Sequence, residues 1–184
     1  MEPILTLPYS EWLVAEVLMR AFPSREGYSV YAPLSRQEKE VDLLLTHRAR
    51  GTSRAAALQI KYSRAYEQGP RAPFRFVMWF RSFPVGDRAD FFVLAGLYPN
   101  IVGSGASKRE SSWLRLLLIL GRQEMAELVG NLRTRSGNPD RMFYLAFDAP
   151  DRVTLTRGAA DHRDFTSFAF ANRISLLRNF LGAA

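Results

Sequence analysis

The sequence predicts an α/β domain with a central mixed β-sheet flanked by helices. Three observations carry that expectation. Short apolar segments of strand length recur at residues 41–45, 56–62, 90–97 and 114–120. Amphipathic helical patterns stand at both ends of the chain and again at 123–133. Turn residues separate these segments, and no internal repeat or linker interrupts them. At 184 residues the chain fits one domain, 1–184. The motif-bearing core is expected at about 8–120, with C-terminal strands and a helix, 140–182, packing on it.

Ser10 is a good N-cap and Pro23 a stop, so a first helix is expected over 11–22. Leu13, Val14, Val17, Leu18 and Ala21 make its apolar stripe. Glu11 lies one turn before Val14 and two before Leu18, at the edge of that stripe, whereas Glu16 falls on the solvent side. A strand at 28–31 follows Gly27, and a polar connection at 34–39 leads to the strand at 41–45. The basic, small-residue segment 47–54, containing Gly51, reads as a hairpin turn into the strand 56–62. Gly69-Pro70 and Pro73 mark a loop, and the aromatic-dense segment 74–83 reads as a strand or a short helix. The strand at 90–97 ends at Tyr98-Pro99-Asn100, and 103–107 reads as a plain Gly-rich loop. The tail supplies strands at 142–147 and 153–156 and a helix over about 164–181.

The absence of cysteine excludes disulfides, thiolate metal sites and a Cys nucleophile. The formal charge is +7, with Arg greatly outnumbering Lys. A basic surface is the electrostatic footprint of nucleic-acid binding, though Arg-rich proteomes share it. The first residues show no basic stretch followed by an apolar core, and the apolar run 114–120 is far short of the roughly 20 residues a membrane helix needs. A soluble cytoplasmic protein without membrane contact is expected.

The segment Ala57-Leu58-Gln59-Ile60-Lys61-Tyr62 places an amide and an ammonium two residues apart in an apolar run. On a strand both emerge on one face, which makes this either a wet-faced edge strand or a site. If the strand at 41–45 pairs with it as a hairpin, Asp42 comes within reach of Gln59 and Lys61. His47 and His162, the only histidines, show no ligand spacing, and His47 reads as a solvated turn residue. No Ser/His/Asp arrangement and no phosphate-cradling glycine motif occurs. Asp90 reads as a strand-start residue, and Asp148, Asp151, Asp161 and Asp164 as turn and cap residues.

The order Glu11 in "SEWLVAEVLMRAF", Asp42 in "KEVDLLL" and Gln59/Lys61 in "ALQIKYSR" resembles the PD-(D/E)xK nuclease superfamily. This is the restriction endonuclease-like fold of type II restriction enzymes, Holliday-junction resolvases and Mrr-type endonucleases. The resemblance covers about the first 65 residues. Asp or Glu is the commoner residue at position 59, and the amide is typical of Mrr-like members. The resemblance implies phosphodiester hydrolysis in DNA with Mg²⁺ or Mn²⁺. Asp42, Gln59 and Glu11 would hold the metal, with the Ile60 carbonyl as a further ligand. Lys61 would orient or deprotonate the attacking water and offset transition-state charge. The alternative is a catalytically inactive nuclease-fold module that binds nucleic acid or a protein partner. Arg48, Arg50, Arg54 and Arg64 flank the site strands as candidates for phosphate contacts. Residues 74–83 interleave Arg75 and Arg81 with aromatics, as single-strand binders do, although such density also suits a core. Cutting both strands of a duplex with one site per chain would favour a homodimer.

Overall fold

A computed structural model describes residues 9–33, 40–49, 51–99 and 113–182. Two five-stranded sheets and three α-helices are formed by the described residues. The first sheet is mixed and holds β1 (Tyr28–Tyr31), β2 (Leu43–Ala49), β3 (Thr52–Arg64), β6 (Phe91–Pro99) and β7 (Trp113–Gly121), side by side in that order. Neighbours are antiparallel except β3 and β6, which run parallel. The second sheet is antiparallel throughout, in the order β10 (Arg163–Asp164), β9 (Arg152–Arg157), β8 (Met142–Ala149), β5 (Phe76–Arg81), β4 (Tyr66–Glu67). The helices are α1 (Tyr9–Ala21), α2 (Arg122–Gly130) and α3 (Phe170–Phe180).

The expected mixed sheet is present: α1 and α3 cover one face, and the second sheet together with α2 covers the other. Leu13, Val14 and Leu18 of α1 and Leu177 of α3 pack on Leu43, Leu58, Phe91, Val93 and Ile119. The opposite face carries Phe92, Leu94, Leu116, Leu118 and Leu120, which meet the second sheet. Residues 91–98 of β6 are buried on both faces, which explains their unbroken apolar run. The second sheet arises from period-two alternation: Phe76, Met78 and Phe80 of β5 point inward with Phe143, Leu145 and Phe147 of β8. Residues 74–83 thus form a strand, and the tail strands pair with it in one sheet. The parallel join from β3 to β6 runs through β4 and β5, where a helix is the usual crossover.

Gly96 allows the two sheets to close. It faces Ser63 across the β3–β6 ladder, and a Cβ on it would stand 2.6 Å from the sulfur of the buried Met78.

Several boundaries differ from expectation. Within 47–54 the described residues 47–49 and 52–54 are strand, and Gly51, whose φ is +82°, is a turn residue between them. His47 is therefore not a solvated turn residue. It is 8% exposed in β2, stacks on Tyr28 at 4.4 Å between ring centroids, and sets Nδ1 3.4 Å from the Leu181 carbonyl oxygen. The final helix starts at Phe170, because Asp164 ties the chain into a preceding 3₁₀ turn by accepting the Thr166 N–H. No helix among the described residues is long and apolar enough to cross a membrane. The expected connection 34–39 and loop 103–107 lie outside the described residues.

Candidate functional site

The β2–β3 register pairs Leu43 with Leu58, so the next step sets Asp42 opposite Gln59. Asp42 sits where β2 ends and prolongs its ladder. Its N–H donates to the Leu58 carbonyl at 2.9 Å, and its Oδ2 accepts the Ile60 N–H at 2.6 Å. A carboxylate here replaces the next backbone acceptor and is fixed against β3. Asp90 does the same on the other edge of β3: Oδ2 accepts the Ala57 N–H and the Asp90 N–H donates to the Ala57 carbonyl, both at 2.9 Å. That supports the strand-start reading of Asp90.

Alternation along β3 settles the faces. Ala56, Leu58 and Ile60 enter the core beneath α1, so Gln59, Lys61 and Ser63 face the second sheet. Gln59 is 6% exposed. Ser63 Oγ accepts the Trp79 N–H at 3.2 Å, joining β3 to β5 where the short β4 no longer covers that strand. Lys61 is half-buried, and burial pushes its pKa below the usual lysine range while Asp42 and Glu40 pull it back up. Its Nζ lies 4.8 Å from the Phe83 ring centroid, and Phe83 in turn stacks on Phe92.

Glu40 carries no motif of its own in the sequence, although its spacing of two from Asp42 gives it the same parity on an extended chain. The Arg88 N–H donates to Glu40 Oε2 at 3.4 Å. Gly86 backs onto the same carboxylate, and a Cβ at that position would collide with it. The chain around 86–88 therefore holds Glu40 beside Lys61.

Glu11 lies in the first turn of α1, whose Leu13, Val14 and Leu18 pack on the face opposite Gln59 and Lys61. Asp42, Gln59 and Lys61 are thus gathered with Glu40, and Glu11 belongs to the helix that covers the sheet's other face.

The arginines divide. Arg64 lines a groove of about 430 Å³ together with Lys61. Arg54 is seven residues from Lys61 along β3, about 23 Å at roughly 3.3 Å per residue, and Arg48 pairs beside it at the hairpin end. Arg54 packs against the C-terminal end of α3, where a Cβ at Gly182 would meet its guanidinium at 3.2 Å. Arg48 and Arg54 therefore do not flank the trio, because β3 is longer than its apolar segment suggested. Arg50 lies outside the described residues.

Among the described residues no three His, Asp or Glu side chains gather closely enough to hold a metal ion. The donors beside Lys61 are instead two carboxylates, Asp42 and Glu40, and the Gln59 amide oxygen. All are hard oxygen donors, which suits Mg²⁺ or Mn²⁺, cations that take one or two carboxylates and fill the rest with water and phosphate oxygens. The set has no soft donor and suits no thiophilic ion. No protein-family model, curated protein or solved structure matches the chain.

Proposed function

We propose that this protein is a divalent-metal-dependent nuclease of the PD-(D/E)xK type, with a restriction endonuclease-like core, hydrolysing phosphodiester bonds in DNA. The observation that carries the reading is the single cluster formed by Asp42, Gln59 and Lys61: Asp42 is locked to the β3 backbone, and Lys61 has its pKa lowered by burial beside it. The order of α1, the β1–β2–β3 meander and the parallel β6 is compatible with that core.

Asp42 and Glu40 would hold Mg²⁺ or Mn²⁺, with the Gln59 oxygen completing the protein's share. When bound, the ion supplies Lewis-acid polarisation of the scissile phosphate and charge neutralisation. Glu40 adds the second negative charge that an amide at position 59 omits. Lys61 orients the attacking water, accepts its proton when neutral, and offsets charge on the phosphoryl oxygens when protonated. Burial of Lys61 favours the neutral form, while the Phe83 ring beside Nζ steadies the ammonium when it is protonated. Glu11 supports the site from the helix side.

The neutral Gln59 favours a second reading, a catalytically inactive module that binds nucleic acid or a protein partner. Incubation with plasmid, linear duplex, single-stranded and branched DNA, and with RNA, separates the two. The nuclease reading expects cleavage with Mg²⁺ or Mn²⁺ that EDTA abolishes. Metal-independent binding without cleavage of any of these substrates supports the inactive module.

A further inference from the structure

Two depressions meet at the end of β3 and share Tyr62 and Arg64. One, of about 430 Å³, runs from Lys61 past Tyr66 and Trp79 to Arg81. The other, of about 410 Å³, continues to Tyr9 at the start of α1. Among the described residues their linings carry three cations, Lys61, Arg64 and Arg81, and no acid.

The rings here are not surplus core. In β5 the inward residues are Phe76, Met78 and Phe80, and Trp79 lies on the opposite face. Trp79, Tyr62, Tyr66 and Tyr9 are between 39% and 63% exposed. The Arg64 guanidinium lies 5.8 Å from the Tyr66 ring centroid, so cation and ring are already paired as a platform. Flat exposed rings between cations match an unpaired base flanked by phosphates. A duplex keeps its base faces stacked inside and would offer these rings only its backbone.

We propose that this groove binds single-stranded nucleic acid, stacking unpaired bases on Tyr66 and Trp79 and holding the backbone with Arg64 and Arg81. The proposal rests on the nuclease reading for its chemistry, and it makes the substrate a single strand or the unpaired arm of a branched one.

Fluorescence anisotropy in EDTA at low salt tests it, using a labelled oligothymidylate and a blunt duplex of equal length. The expected result is binding of the single strand at least about tenfold tighter than the duplex. Trp79→Leu and Tyr66→Leu each weaken single-strand binding by about 5- to 150-fold, the range for one lost stacking partner, and leave duplex binding unchanged. Trp79→Phe keeps most of the affinity. Should Trp79→Leu unfold, Tyr66→Leu, in the two-residue edge strand β4, carries the same test. Equal or tighter duplex binding overturns the proposal, as do leucine variants that bind like wild type. So does polyglutamate competing as well as the oligonucleotide at equal charge. Because metal is absent, the binding result stands or falls independently of cleavage.

Discussion

Asp42 has a structural task as well as a proposed chemical one, and two substitutions separate them. Asn keeps an oxygen to accept the Ile60 N–H, whereas Ala leaves that donor without its acceptor. Asp42→Ala should lose about 1–3 kcal/mol by urea unfolding, the usual cost of orphaning a partly buried group, and Asp42→Asn much less. Lys61 has the opposite signature. Burial holds its pKa below the unfolded value, so the unfolded chain binds more protons between the two pKa values. Stability therefore rises with pH through that interval, and a protonated Lys61 weakens the fold below it. Lys61→Met should melt no lower than wild type at neutral pH, with any advantage shrinking as pH rises, yet lose about 10²- to 10⁴-fold in cleavage rate. A lower melting temperature would make Lys61 a structural residue. Glu40 was legible only in hindsight, since the alternation identifying it begins before the residues that look like a strand.

At the scale of elements, most strands were visible because apolar runs and period-two alternation are local signals. Residues 28–31, 56–62, 90–97 and 114–120 all fall within or largely within observed strands. The pairing of β5 with β8 was not visible. It joins residues more than 60 apart, and nothing local to Phe76 or Phe147 specifies the partner. The second sheet was hidden for the same reason: a buried aromatic strand looks alike whether a helix or a sheet covers it. The length of β3 was also hidden, because its first four residues are exposed and polar or small while still paired with β2. Gly96 is where the sheet-to-sheet packing is most exposed to test. Gly96→Ala would press a methyl against Met78, which is fully buried and cannot swing out. The expected loss is about 1–3 kcal/mol by denaturant unfolding, as for an overpacked core. No loss would mean that the sheets are farther apart there.

For the whole molecule, the +7 charge makes a statement about association that needs no site. Binding to single-stranded nucleic acid should weaken linearly in log K against log salt, by about 0.7 per phosphate neutralised. If the groove cations carry that contact, Arg81→Ala should reduce the slope by about one such unit, while Arg48→Ala, at the far hairpin end, should reduce it less. A salt-independent affinity would contradict an electrostatic role for the surface. Only part of the candidate site was readable in the sequence. The Gln-x-Lys face and Asp42 follow from alternation and a hairpin, whereas Glu40 and the aromatic groove depend on how two sheets and the chain at 86–88 close around Lys61.

The central claim is that Asp42 and Lys61 work with a divalent cation on a phosphodiester. The measurement that bears on it most directly is the single-turnover rate of cleavage in Mg²⁺ and in Mn²⁺ by wild type and Asp42→Asn, on the DNA that wild type cuts best. Asp42→Asn is the informative variant because it should remain folded. Metal-dependent cleavage that falls about 10²- to 10³-fold in a folded Asp42→Asn is the predicted result. Cleavage undiminished in that variant, or none by wild type with either metal, would contradict the account.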